Sequence, residues 1–218
     1  MRVILLGPPG AGKGTQVSKL AVAIKTPSVS SGDLFRQHQK DQTNIGIQAQ
    51  NYMKRGLLVP DDLTIKMVME WIDSYTDSDG FLLDGFPRTY PQAVALDEAL
   101  RQNNEGIDRV LNLKVGIDEL INRLSGRIIC RNCQRSYHLT YAPPISPGVC
   151  NECEGELYER EDDNRDAVQK RLEVYFDETE PLINYYSQKG LLTEISGTGS
   201  IEVVAASILD GLVNSTSK

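Results

Sequence analysis

Residues Gly7-Pro8-Pro9-Gly10-Ala11-Gly12-Lys13-Gly14-Thr15 combine closely spaced glycines with a lysine and a hydroxyl. Glycines let a backbone wrap closely around phosphate oxygens with its N–H groups pointing inward. A helix starting near Lys13 would add its positive dipole end, and Lys13 itself a mobile cation for the β and γ phosphates of a nucleoside triphosphate. The strict pattern G-x-x-x-x-G-K-[ST] is not met, because Gly14 stands at the hydroxyl position and Thr15 comes one later. A P-loop hydroxyl normally helps to hold Mg²⁺. The metal is therefore expected to rest mainly on the nucleotide's phosphates and on water.

A second group of residues suits the same chemistry. Arg36, Arg88, Arg123, Arg127, Arg160 and Arg171 stand near expected element ends or in two insertions. A phosphoryl group in transfer spreads charge over its equatorial oxygens, so catalysis needs positioning and cations more than a protein nucleophile. Asp84-Gly85-Phe86-Pro87-Arg88 follows an apolar run, the place where α/β sheets bind ligands. Arg123 and Arg127 are four apart, one helical turn, and are expected to share a face. The two histidines, His38 and His138, read as surface residues, and no Ser-His-Asp or Cys-His set is found.

The four cysteines form C-x2-C-x16-C-x2-C, from Cys130 and Cys133 to Cys150 and Cys153. Paired knuckles of thiolates close a tetrahedral Zn²⁺ site with no open position, so the expected role is structural. The segment around them has few large apolar side chains and needs such a staple to hold a core.

The elements that must carry these residues alternate. Val3 to Leu6, Phe81 to Asp84, Val110 to Leu113 and Leu191 to Ile195 are short apolar runs read as buried strands, with Ser28 to Ser30 as a possible fifth. Helical spacing covers Gln16 to Ile24, Leu63 to Ile72, Pro91 to Leu100, Ile117 to Leu124, Asp166 to Tyr186 and Ile201 to Leu212. Strands alternating with helices imply an α/β fold with a parallel sheet covered on both faces. Ser31 to Val59 and Arg127 to Asp163 break the alternation and read as insertions at the ligand edge. Asn214 to Lys218 reads as a frayed tail.

Over 218 residues with 40% hydrophobic content and a net charge of −7, one substantial core is expected. The acidic balance argues against a nucleic-acid or membrane-surface footprint. The apolar run after Met1-Arg2 is too short for a secretory core or a membrane span, so a soluble, cytoplasmic chain is expected.

Taken in order, G-P-P-G-A-G-K-G-T at Gly7–Thr15, S-G-D-L-F-R at Ser31–Arg36, G-L-L-V-P at Gly56–Pro60, F-L-L-D-G-F-P-R-T at Phe81–Thr89, Gln92, R-L-S-G-R at Arg123–Arg127, R-E-D-D at Arg160–Asp163 and Arg171 resemble adenylate kinase. The resemblance runs nearly end to end and extends to the long-lid form with a metal in the lid. It implies a P-loop fold with a core of 1–30, 60–126 and 164–218, an AMP-binding flap at 31–59 and a lid at 127–163. It implies the reaction ATP + AMP ⇌ 2 ADP, with Mg²⁺ on the triphosphate, in a monomer.

By the same resemblance, Gly10, Ala11, Gly12, Lys13, Gly14 and Thr15 would grip ATP phosphates, Arg127, Ser136 and Tyr137 would close over ATP, and the Gly199 backbone would meet its adenine. Ser31, Arg36, Leu57, Leu58, Val59, Gly85, Phe86, Pro87, Arg88, Gln92, Arg160 and Arg171 would line the AMP site. Lys13, Arg88, Arg123, Arg160 and Arg171 would surround the moving phosphoryl group. Asp84, Asp162 and Asp163 would orient Mg²⁺-bound water or the arginines. Two alternatives remain at this stage: a related kinase with UMP or GMP as acceptor, and a zinc-ribbon nucleic-acid binder with an ATPase switch. The acidic charge and the lack of aromatic-basic interleaving around the cysteines disfavour the second.

Overall fold

A computed structural model describes residues 1–75 and 80–213. The expected frayed tail, Asn214 to Lys218, lies outside them. In chain order the elements are β1 (Arg2–Leu6), α1 (Lys13–Ile24), β2 (Ser28–Ser30), α2 (Ser31–Lys40), α3 (Asn44–Met53), α4 (Asp61–Asp73), β3 (Phe81–Asp84), α5 (Tyr90–Gln102), β4 (Arg109–Lys114) and α6 (Ile117–Ser125). They continue with β5 (Arg127–Cys130), β6 (Ser136–His138), β7 (Leu157–Tyr158), a 3₁₀ turn (Glu161–Asp163), α7 (Arg165–Val174), a π turn (Tyr175–Thr179), α8 (Pro181–Gln188), β8 (Leu192–Ser196) and α9 (Ile201–Val213).

Among the described residues, β2, β3, β1, β4 and β8 form one sheet in that order, every neighbouring pair parallel. Period-two alternation splits β1, β3 and β4 between two cores. Ile4, Leu6, Leu83 and Val110 face one core with α4, α5 and α8 residues such as Met67, Leu96 and Tyr186. Val3, Leu5, Leu82, Leu111 and Leu113 face the other with Leu20, Leu124, Leu172 and Ile208. Burial on both faces explains why these strands read as unbroken apolar runs. This is the α/β architecture expected, with helices on both sides of a parallel sheet.

The insertions differ in kind. Residues 31–59 are α2 and α3 packed on each other, with Thr43 capping α3 through its hydroxyl, which accepts from Gly46 N at 3.1 Å. Residues 127–158 form a separate antiparallel sheet in the order β6-β5-β7. Its small core is Cys130, Tyr137, Cys150 and Leu157, with Ile128 beside it.

Two expectations need correction. The single helix over Asp166 to Tyr186 is two helices joined by the π turn, and Pro181 opens the second. The backbone stays right-handed helical through the join, and the wider i+5 spacing of the π turn, as in Glu180 N to Tyr175 O at 2.8 Å, precedes Pro181, which has no N–H to give to the ladder. Arg123 and Arg127 do not share a helical face, because α6 ends at Ser125 with Gly126 as its cap and Arg127 opens β5. No described helix is long and apolar enough to cross a membrane.

Candidate active site

Because the sheet strands are parallel, the loops after β1, β3, β4 and β8 emerge at one edge. The glycine loop follows β1 there, and Gly12, at φ 91°, caps α1. Lys13 is half-buried, and its Nζ donates to the Gly7 and Pro8 carbonyls at 2.6 and 3.0 Å. Ala11 is buried against the second core, whereas Gly14 is exposed and Thr15 half-exposed. A Cβ on Gly14 would lie 3.9 Å from Asp84 Oδ2. The buried Asp84 carboxylate thus stands close to the position where a P-loop hydroxyl normally sits.

The loop after β3 is built around Gly85, whose φ of 68° suits glycine. A Cβ there would meet Arg88 Nη2 at 2.8 Å and push the guanidinium from its present position. The Gly85 carbonyl accepts from Arg88 Nε at 2.7 Å and from Ser31 Oγ at 2.6 Å, tying β3's loop to the start of α2. Arg88's backbone is gripped at both ends: its N–H donates to Gln92 Oε1 at 2.8 Å, and its carbonyl accepts from Thr179 Oγ1 at 2.8 Å. Phe86 is 1% exposed and packs in the first core, so its contribution to a ligand would come from its backbone. Val59 is also buried, and Leu57 and Leu58 are half-buried beside it.

The remaining arginines come from α2, α6, the second insertion and α7. Arg127 donates from Nε to Asp163 Oδ2 at 2.7 Å and pairs a second time with Asp163 Oδ1. Arg171, on α7, reaches Asp163 Oδ1 at 2.9 Å, Asp162 Oδ2 at 3.0 Å and the Asp162 carbonyl at 3.1 Å. Arg36 pairs with Asp33. Arg36 and Arg160 each keep a buried Nε with no hydrogen-bond partner. Arg123 Nη1 donates to the Gly197 carbonyl at 3.0 Å and lies 4.0 Å from a Cβ built on Gly12. It therefore links the phosphate loop to the loop that carries Gly199.

These cations crowd one another. Burial, then the Arg88, Arg171 and Arg127 charges, hold Lys13 down to about 8 against the pull of Asp84. Burial and Arg171 hold Arg88 down to about 10, and burial with Arg36 and Arg127 holds Arg160 down to about 9. Burial also lowers Arg171, despite Asp162 and Asp163. Asp84 is pushed up by burial although Lys13 and Arg88 oppose it. Burial would raise Asp162 as well, but Arg171, Arg160 and Arg127 outweigh it and hold it low. Buried arginines and a lysine that lower one another are what a polyanion would relieve.

Four sulfurs gather in the insertion. The Sγ atoms of Cys130, Cys133, Cys150 and Cys153 all lie within 4.8 Å of one another. Cys130–Cys153 are 3.4 Å apart and Cys133–Cys150 3.6 Å. A tetrahedron with Zn–S bonds of about 2.3 Å has edges of about 3.8 Å, so this donor set is consistent with a zinc site. Tyr137, expected near ATP, instead turns its ring into this cluster. Its hydroxyl accepts from Asn151 N at 2.9 Å and sits 3.3 Å from Cys150 Sγ. Against burial, hydrogen bonds from neighbouring N–H groups and from the other sulfurs hold the Cys130 and Cys150 thiols down and leave Cys133 and Cys153 raised, as four sulfurs sharing protons at close range would. Ser136 is exposed on the same strand. His38 bonds Thr43 Oγ1 at 3.1 Å, and His138, the cross-strand partner of Arg127, lies 3.1 Å from the Asn122 carbonyl, so both serve local structure.

The adenylate kinase family profile matches residues 5–191, over the loop, both insertions and most of the sheet. The chain belongs to the adenylate kinase family. It is 48% identical over 212 residues to an adenylate kinase of Caldicellulosiruptor bescii, covering 97% of this chain and 99% of that one. It is 49% identical to one of Carboxydothermus hydrogenoformans with the same coverage, and 47% identical over 213 residues to one of Streptomyces coelicolor. The central parallel sheet with its phosphate loop is the P-loop fold of that family.

Sequence reasoning missed Thr179, Asp61 and Glu119, which hold Arg88, Gln92 and Arg123 in place. Thr179 and Arg88 are 91 residues apart, and no local pattern marks such a pair.

Lys13 predicts a pH dependence. A free enzyme loses this charge as pH rises through about 8, and a bound triphosphate favours the charged form and moves the loss to higher pH. In pH profiles from 7 to 10, kcat/KM for ATP is expected to fall above about 8, with kcat holding to higher pH. Coincident limbs in the two profiles would contradict this. Unfolding through this group is not the cause: the unfolded chain keeps the proton up to about 10.5, so Lys13's contribution to stability rises with pH across that window.

Proposed function

We propose that the site moves the terminal phosphoryl group of ATP reversibly to AMP, giving two ADP. The observation that carries this reading is a glycine loop at a helix start, with Lys13 on it and Arg123 beside its Gly12, close enough to Arg88, Arg171 and Arg127 for their charges to lower Lys13. Gly10 to Thr15 would hold ATP phosphates with backbone N–H groups and the α1 terminus. Lys13 would leave the Gly7 and Pro8 carbonyls for the β and γ phosphates. Ser31, Arg36, Leu57 to Val59, Gly85 to Arg88 and Gln92 would form the AMP side. Arg127, Ser136 and the Tyr137 backbone would meet ATP from the insertion, with the Gly199 loop at its adenine. Lys13, Arg88, Arg123, Arg160 and Arg171 would gather charge as it spreads over the transferring group, and their fixed positions spare reorganisation at that moment.

Mg²⁺ fits beside Asp84, whose carboxylate lies near the missing loop hydroxyl, with Asp162 and Asp163 steering the arginines. When bound with ATP, Mg²⁺ would neutralise phosphate charge. Cys130, Cys133, Cys150 and Cys153 would hold a structural Zn²⁺ that supplies no chemistry and ties the insertion's two knuckles into one body. We further assign 1–30, 60–126 and 164–218 to a core, 31–59 to an acceptor flap and 127–163 to a lid, bending near Gly126 and Asp163. Closure of both would keep water from the γ-phosphoryl group. A cytoplasmic setting keeps the thiols reduced. The proposed working unit is a monomer.

The test is a coupled assay for ADP from ATP, AMP and Mg²⁺, repeated with UMP, CMP and GMP as acceptors. AMP is expected to exceed each alternative by at least about 100-fold in kcat/KM. A faster rate with UMP or GMP would assign the acceptor flap to another nucleotide. No ADP with any acceptor would remove the phosphotransfer reading.

A further inference from the structure

Gln92 is 1% exposed, and which end of its amide is oxygen decides what it can offer a ligand. Two neighbours dictate that choice. Gln92 Nε2 donates to Asp61 Oδ1 at 2.7 Å, and a carboxylate only accepts. The Arg88 backbone N–H donates to Gln92 Oε1 at 2.8 Å, and an N–H only donates. A flipped amide would set oxygen against carboxylate and N–H against N–H. Asp61 is itself fixed, since Thr89 Oγ1 lies 3.0 Å from each of its carboxylate oxygens. One amide N–H and one lone pair of Gln92 remain beyond these contacts.

We propose that Asp61 is the positioning residue that sets acceptor-base selectivity, by locking the Gln92 amide in one orientation. The inference rests on the reading above that Gln92 faces the base of AMP. A 6-aminopurine edge presents an exocyclic donor beside a ring acceptor. A 6-oxopurine edge presents an acceptor and a donor in the same two places. An amide free to flip matches either edge, whereas a locked amide matches one. Selectivity for the amino base then lies in Asp61 as much as in Gln92.

The experiment compares kcat/KM for AMP and IMP, which differ at that edge and not in bulk, in the unmodified enzyme and in Asp61→Asn, Asp61→Ala and Thr89→Val. Asparagine offers Gln92 either an N–H or an oxygen, and alanine offers neither, so each removes one side of the lock. The AMP:IMP ratio is expected to fall by at least about tenfold in both Asp61 variants, the worth of one hydrogen bond exchanged for another. Thr89→Val removes one support of Asp61 but keeps its carboxylate, and is expected to lower the melting temperature and to lower the ratio less than either Asp61 variant. An unchanged ratio in folded Asp61 variants overturns the proposal. If neither variant folds, side-chain ¹⁵N labelling of glutamine in the unmodified protein decides: one Gln92 amide proton slow to exchange supports the lock, and two exchanging like exposed amides overturn it. Failure of the underlying reading looks different, because Gln92→Leu would then leave KM for AMP unchanged.

Discussion

Arg88→Ala is expected to lower kcat and kcat/KM together by at least about 100-fold, roughly 3 kcal/mol of transition-state stabilisation. The guanidinium is held by Gly85 O through Nε, which leaves its Nη groups for the transferring phosphoryl, and its backbone is clamped by Gln92 and Thr179. Folding should not suffer. Burial and Arg171 already hold Arg88 down to about 10, so its charge strains the folded state and its removal relieves Arg171. The melting temperature is therefore expected to stay within about 4 °C, the shift of about 1 kcal/mol in a chain of this size. Calorimetry beside steady-state kinetics checks both halves. Wild-type kcat in the folded variant would dismiss the arginine shell, and a rise in KM alone would make Arg88 a binding residue and no more.

The second large effect concerns the cysteine cluster. Cys153→Ser is the informative change, because Cys153 is exposed, and an exposed Cys→Ser ordinarily costs within about 0.5 kcal/mol. If four thiolates share one ion, losing Cys153 breaks the site as surely as losing the buried Cys130 does. Both variants are then expected to lose bound zinc and to melt about 5 to 15 °C lower, as loss of about 2–4 kcal/mol would produce in a chain of this size. Activity at low temperature should fall less, since no cysteine touches the arginines. Metal analysis and scanning calorimetry of both variants and of chelator-treated enzyme decide the matter. Full zinc content in Cys153→Ser, or a melting shift in Cys130→Ser alone, would reduce the cluster to ordinary packing around Tyr137 and Leu157.

The parts legible in the sequence are those whose cause is local. The run Phe81 to Asp84 announces a strand because both its faces are buried, and β3 spans those four residues. The glycine loop announces a strand-to-helix turn because no other residue type bends so tightly, and α1 starts at Lys13. Cysteine spacing announces a cluster because each knuckle is a short turn of its own, and the four sulfurs converge. Where two local signals compete, the sequence misleads. Arg123 and Arg127 have helical spacing, yet Gly126 ends α6 between them. They still work on related ground, Arg123 beside Gly12 and Arg127 among the charges that depress Lys13. Tyr137 stands in a motif associated with nucleotide binding, but alternation along β6 sends its ring into the cysteine cluster.

The sequence by itself determined which groups this protein brings to phosphate: the glycine loop, Lys13, the arginines and the paired thiols. Chain spacing carries those identities because each belongs to a short motif with its own backbone requirement. Tertiary structure alone decided how the groups are held. The parallel sheet brings the loops after β1 and β3 to one edge, Asp163 joins Arg127 of the insertion to Arg171 of α7, and Thr179 and Asp61 fix Arg88 and Gln92. Burial, which no residue type specifies alone, then lowers Lys13, Arg88, Arg160 and Arg171, a state that a polyanion would relieve.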